Sequence, residues 1–159
     1  MKFYTIGVYG STEKEFFDKL TQNRIDTFCD IRQRRGVRGS EYAFVNSNYL
    51  QNRLAELDIK YGHILGLAPT TEIREMQKAE DLKQGEHKRD RNKLGLVFTN
   101  EYKNQILQKF DFEDFIENLE EIGATRVALL CVEEKPEACH RSIVANELHK
   151  RYNFEIIHL

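Results

Sequence analysis

The chain opens on FYTIGVYG, an apolar, β-branched and aromatic run without alternation, the pattern of a strand buried on both faces of a parallel sheet. Such a strand is expected at the centre of its sheet. Thr12 and Glu15 have capping-box spacing, and Phe16, Phe17 and Leu20 follow at helical intervals, so a helix is predicted from Ser11 or Thr12. IDTFCDIR reads as a second strand ending in Asp30 and Arg32, and SNYLQNRLAELD as a helix with Leu50, Leu54 and Leu57 on one face. KYGHILGLAPT predicts a short strand running into a loop, where Gly66 permits a turn and Pro69 bars continuation. NQILQKFDFEDFIENLEEIG predicts two helical pieces divided near Asp111 and stopped by Gly123. ATRVALLCVE is the clearest strand, SIVANELHKRY the helix after it, and FEIIHL a closing strand. Between them, residues 72–93 mix Glu, Asp, Lys and Arg so densely that the segment 70–95 is expected as a charged surface excursion.

This alternation predicts an α/β fold, a single three-layer domain over residues 1–159 with a mostly parallel sheet, Rossmann- or flavodoxin-like. A chain of 159 residues buries roughly two-thirds of its unfolded surface and needs no disulfide to hold it. Hydrophobic residues at 40% and charged residues at 31% fit a globular domain, and a formal net charge of −2 argues against a uniformly basic nucleic-acid coat while leaving room for a local basic patch. No apolar run approaches the ~20 residues of a membrane span, and MKFYTIGVYG is too soon interrupted for a secretory signal. A cytoplasmic protein without a membrane partner is expected, and its three cysteines are expected as reduced thiols.

Open parallel sheets bind ligands beyond the carboxyl ends of their strands. That rule gathers Tyr9, Gly10 and Ser11 after the first strand, Asp30 and Arg32 after the second, Tyr61 and His63 on the third, and Cys131 and Glu133 after ALLCVE. EEKPEACHRSIVANEL then brings Cys139, His140 and Arg141 to the same rim. At a helix start the dipole would draw the Cys139 thiol towards neutral pKa, while Arg32 and Arg141 form an anion fork and Ser142 adds a hydroxyl. The plain alternative makes Cys139 a packed apolar residue and His140 a cap. Cys131, Cys139 and His140, with Glu133 or His63 as a fourth donor, would instead surround a metal in an alternative reading, although no Cys-x-x-Cys or His-x-x-x-His pair gives a zinc spacing. RQRRGVRG sets Arg32, Arg34, Arg35 and Arg38 in one glycine-containing loop ahead of Tyr42 and Phe44, suited to phosphates and stacked bases. Its plain alternative is a solvated cationic loop.

TIGVYGS, the DIR of the second strand, the arginine loop, IKYGHILGLAP, Phe98, Tyr102 and LLCVEEKPEACHR together resemble the uncharacterised bacterial family called domain of unknown function 488. The resemblance runs through nearly the whole chain and is most specific at the Cys-His-Arg end. It implies a small α/β fold with a pocket around Asp30, Arg32, Tyr61, His63, Cys131, Glu133, Cys139, His140 and Arg141, and supplies no reaction. Two departures, RQRRGVRG where members often follow Asp-x-Arg with proline and LGLAP where they often carry a double glycine, set ligand specificity apart. A tyrosine-phosphatase loop is excluded, since that pattern needs five residues between Cys and Arg and only His140 separates Cys139 from Arg141.

The leading expectation is an enzyme, or an enzyme-derived sensor, for a phosphate-bearing small molecule or nucleic-acid fragment. Arg32, Arg38 and Arg141 would hold the anion, with Tyr9, Gly10, Ser11, Tyr61 and Ser142 around it; Asp30, Glu133 or His63 would act as acid or base and Cys139, beside His140, as nucleophile or structural partner of Cys131. Its rivals are a non-catalytic nucleic-acid or protein-binding module and a metalloprotein built on Cys131, Cys139 and His140. The residues name no cofactor and no oligomeric state.

Overall fold

The computed structural model describes residues 1–85, 87 and 91–159. Among them are five strands, β1 (Lys2–Ile6), β2 (Thr27–Asp30), β3 (Lys60–His63), β4 (Arg126–Leu130) and β5 (Glu155–His158), and six α-helices, α1 (Glu13–Gln22), α2 (Ser47–Glu56), α3 (Thr71–Gln84), α4 (Leu96–Tyr102), α5 (Phe112–Glu121) and α6 (His140–Tyr152). A π-helical turn, Lys103–Leu107, prolongs α4. All strand pairs are parallel, in the order β3-β2-β4-β1-β5. The expected α/β layers with a parallel sheet are therefore present, but β4 lies between β2 and β1, an order that is neither the 3-2-1-4-5-6 nor the 2-1-3-4-5 winding. The first strand, expected at the centre, is interior between β4 and β5, and β4 takes the middle.

Local chemistry explains the element boundaries. Thr12 and Glu15 close the capping box of α1, each satisfying a backbone N–H of the other. Asp111 caps α5 by accepting from Asp114 N at 3.0 Å, and Gly123, at φ 71°, ends the segment in the left-handed region that glycine enters freely.

Alternating strand residues build a core on each face of the sheet. Tyr4, Ile6, Phe28, Ala128 and Leu130 pack with Phe16, Phe17 and Leu20 of α1 and Leu50 and Leu54 of α2. Phe3, Cys29, Val127 and Leu129 pack with Phe98 and Tyr102 of α4, Phe115, Ile116 and Leu119 of α5, and Val144 and Leu148 of α6. The chain thus leaves β1 and β2 over one face and β4 over the other, so a crevice opens beyond their carboxyl ends. Register makes that rim level, since Ile6 and Asp30 both stand opposite Leu130.

The charged stretch is only partly a surface element. Thr70 caps α3 by accepting from Ile73 N, and the face carrying Ile73, Gln77 and Asp81 is buried. Arg91 is buried as well. Ion pairing gives the reason, because Arg91 Nη1 meets Asp81 Oδ2 at 2.8 Å and its Nη2 meets Glu133 Oε1 at 3.2 Å. Glu86, Lys88, Arg89 and Asp90, which belong to the expected excursion, lie outside the described residues.

Candidate functional site

A cavity of about 600 Å³ occupies the crevice. Its floor includes Cys131, Glu133, Cys139 and His140, its mouth Arg34, Gly36, Val37 and Arg38, and its walls Tyr9, Tyr42 and Phe98. α3 supplies Arg74, Gln77, Lys78 and Asp81.

The floor is assembled at the junction of β4 and α6. Cys131 follows β4 directly, its N–H donating to Ile6 O at 3.2 Å. A short 3-10 turn at Pro136–Ala138 then folds the chain back, with Cys139 N donating to Pro136 O. Cys139 is extended at φ −139° and ψ 145°, and His140 begins α6, so the consecutive side chains turn towards Cys131. His140 Nε2 lies 3.0 Å from Ile31 O. A carbonyl only accepts, so Nε2 carries the proton and Nδ1 presents a lone pair. That lone pair faces Cys131 Sγ at 3.5 Å and Cys139 Sγ at 3.8 Å. Tyr102 packs its ring 5.4 Å from the imidazole and donates its hydroxyl to Leu67 O.

Electrostatics corrects one expectation. Burial, joined by the bond and charge of Cys131, pushes the Cys139 thiol well above its ordinary pKa instead of towards neutrality. A side chain only 1% exposed gains too little from the start of α6 to offset desolvation. For His140 burial works downward, but the neighbouring Cys139 and the Ile31 carbonyl outweigh it and the pKa is raised. Cys131 donates to Glu133 Oε2 at 3.2 Å, so the floor is one hydrogen-bonded cluster.

The candidate residues divide into groups. Tyr9, Arg32, Arg38, Cys131, Glu133, Cys139 and His140 line the cavity together. Asp30, Tyr61 and His63 instead brace Arg32 from behind. Asp30 accepts from Arg32 Nε at 2.8 Å and Nη2 at 2.7 Å and from the Tyr61 hydroxyl at 3.0 Å, while His63 Nε2 donates to Arg32 O at 2.8 Å. Burial and the Asp30 charge push the Tyr61 hydroxyl up to about 12. Gly10 and Ser11 open onto a neighbouring hollow shared with Tyr42. Arg141, only 1% exposed, donates Nη1 to Glu133 O at 2.5 Å and Nη2 to Glu134 O at 2.7 Å. The expected anion fork is therefore occupied by loop carbonyls. Ser142 donates its hydroxyl to Cys139 O at 2.9 Å, within its own helix turn.

Sequence reasoning passed over Gly7, Asp81 and Arg91. A Cβ on Gly7 would stand 2.3 Å from Glu133 O and 3.0 Å from Arg141 Nη2, so glycine lets the loop after β4 come down onto the loop after β1. Asp81 and Arg91 sat in a charge run where, of the three buried residues of α3, only Ile73 is apolar. The four-residue spacing of Ile73, Gln77 and Asp81 was the available signal.

No helix among the described residues is long and apolar enough to cross a membrane. No curated protein and no solved structure matches the chain. A family does. The description "Domain of unknown function DUF488" covers residues 12–148, from the cap of α1 into α6 and through every residue of the cavity described above except Tyr9, and the chain belongs to that family.

Proposed function

We propose that the chain is an enzyme, or a sensor derived from one, whose cavity takes a phosphate-bearing ligand, a nucleotide or a nucleic-acid fragment. One observation carries the reading. The arginine loop after β2 and the Cys-His floor after β4, far apart in sequence, line a single cavity of about 600 Å³. That volume lies within the ~300–1,000 Å³ range of small-ligand sites, which favours a compact ligand over a flat polymer-binding face.

The chemistry of the lining supports an anion. Arg34 and Arg38 are exposed at the mouth, on a loop whose Gly36 and Gly39 keep side chains out of the way. Arg32 lines the wall with its charge oriented by Asp30, and its buried Nη1 lacks a hydrogen-bond partner. An unsatisfied guanidinium N–H beside a cavity favours a ligand oxygen, because leaving it dry costs about 1–3 kcal/mol. Tyr9 and Tyr42, with ring centroids 5.2 Å apart, offer an aromatic wall on which a base can stack. Glu133 on the floor is the group best placed for proton transfer, and the Arg91 guanidinium orients it.

Calorimetric titration with inorganic phosphate, AMP and a single-stranded oligonucleotide tests the reading against the Arg34→Ala/Arg38→Ala double variant. AMP is expected to bind the wild-type chain and to lose about tenfold or more in affinity in the double variant, as removal of charge-assisted contacts predicts. Absence of binding by all three probes rejects the proposal. Binding confined to the oligonucleotide, with a steep salt dependence set by the same arginines, turns the assignment to a binding module instead.

A further inference from the structure

We propose that Cys131, Cys139 and His140 form a mononuclear zinc site at the floor of the cavity, with one coordination position left for water or a ligand oxygen. Cys131 Sγ, Cys139 Sγ and His140 Nδ1 all lie within 4.8 Å of one another. Zinc–sulfur and zinc–nitrogen bonds of about 2.3 and 2.05 Å, set at a tetrahedral angle, put a sulfur about 3.6 Å from a nitrogen. The two sulfur–nitrogen separations, 3.5 and 3.8 Å, bracket that edge.

The imidazole is already oriented as a ligand. Its Nε2 is bound to the Ile31 carbonyl, which fixes the tautomer whose Nδ1 lone pair points at both sulfurs. Donation of the distal N–H to a carbonyl is the usual support of a metal-bound histidine. Two thiolates and a neutral imidazole around a divalent ion sum to zero charge, so the centre stays in a floor where all three residues are at most 5% exposed without an uncompensated charge. Each thiol releases its proton to solvent as the metal–sulfur bond forms, and no oxidant or reductant is needed. Soft sulfur donors select zinc over magnesium or calcium.

Three protein donors make an open site rather than a closed structural one, for which four are usual. Glu133 is not one of the clustered donors. Its Oε2 lies 3.2 Å from Cys131 Sγ and its Oε1 is held by Arg91, so it stands beside the centre as an acid or base for a metal-bound water. The same three residues line the cavity, so the open position is reached from the side on which the ligand of the preceding section would enter. The zinc proposal stands whether or not that ligand carries phosphate.

The test is metal content of tag-free protein purified without chelator, followed by reconstitution of the stripped chain with Zn²⁺ or Co²⁺ in phosphate-free buffer. About one equivalent of metal per chain is expected, and cobalt is expected to give a thiolate-to-metal charge-transfer absorption. Cys139→Ser, Cys131→Ser and His140→Gln should each hold less than about a tenth of that metal, while Cys29→Ser, which is buried in the core and does not line the cavity, should keep it. The cobalt spectrum of the wild-type chain decides the matter even where a variant fails to fold. Failure of the wild-type chain to take up Zn²⁺ or Co²⁺, a cobalt spectrum without thiolate absorption, or full metal retention in the folded ligand variants overturns the site. Because no phosphate ligand enters this experiment, its failure is distinct from a failure of AMP to bind.

Discussion

Asp26 illustrates what one carboxylate contributes when the backbone is arranged around it. It accepts from Thr125 N at 3.0 Å, Arg126 N at 2.9 Å and Thr27 Oγ1 at 2.8 Å, and from the Thr125 hydroxyl, tying the start of β2 to the start of β4. Its partial burial raises the pKa, but the hydrogen bonds from Thr125, Thr27 and Arg126 outweigh that and leave it lowered. A folded-state pKa below the unfolded value of about 3.9 means stabilisation that is full above that pH and lost as pH falls through the folded value. Asp26→Asn is therefore expected to cost about 1–2 kcal/mol at pH 7 in urea denaturation, with the gap to wild type closing below about pH 4. A gap that is the same at pH 3 and pH 7 would show that the charge is not what matters. The same residue-level logic separates the cysteines. Cys29 is packed against the second core and pushed up to about 12 by burial, whereas Cys131 and Cys139 meet an imidazole lone pair.

Among elements, the loop from β4 to α6 organises the site, and Arg141 holds that loop. The guanidinium reaches back from the first turn of α6 to the carbonyls of Glu133 and Glu134, over a backbone that only glycine at position 7 lets come so near. Arg141→Met fills much of the volume but leaves two carbonyls without their donors, and is expected to cost about 3 kcal/mol in urea denaturation. A loss under about 0.5 kcal/mol, typical of surface substitutions, would remove the bracing role. Helix α3 shows a second device. An inner face of Ile73, Gln77 and Asp81 is sustained by pairing rather than by apolar area, since Gln77 donates to Asp81 at 2.7 Å and accepts from Gly95 N at 2.9 Å.

At the scale of the whole molecule, Arg91 is the tie across the cavity. It binds Asp81 of α3, Glu133 beyond β4 and the carbonyl of Ala138, at distances of 2.8 to 3.3 Å, with 7% of its surface exposed. Removing one partner of a buried ion pair strands the other charges, which typically costs about 3–5 kcal/mol. Arg91→Met is expected to lose stability on that scale, whereas the Arg91→Met/Asp81→Leu pair should recover part of it by removing one of the stranded carboxylates. Thermal unfolding of both single variants and the double variant reads this directly, and a double-variant loss equal to the sum of the two single losses would mean the pair is not coupled.

Strand and helix identities were legible because they rest on local rules. FYTIGVYG and ATRVALLCVE are apolar without alternation, Thr12 and Glu15 stand at capping distance, and Gly123 follows the last apolar turn of its helix, so β1, β4, α1 and the end of α5 needed no tertiary information. The sequence by itself also brought Cys131, Glu133, Cys139 and His140 to one rim, since any parallel α/β sheet puts them beyond strand ends. Only the tertiary structure decided which side chains face the cavity. Arg141 and Arg32 look alike as arginines near a strand end, yet one is spent on loop carbonyls and the other lines the wall. Asp81 and Arg91 look like solvated charges, and become interior because each supplies the other's counter-charge, an energy that exists only once Arg91 is brought between Asp81 and Glu133. The insertion of β4 between β2 and β1 was likewise beyond local pattern, because the strand's own sequence does not encode which neighbours its backbone will pair with. That pairing sets Ile31 beside Cys131, and so lets a carbonyl from one strand end orient the histidine that faces two sulfurs.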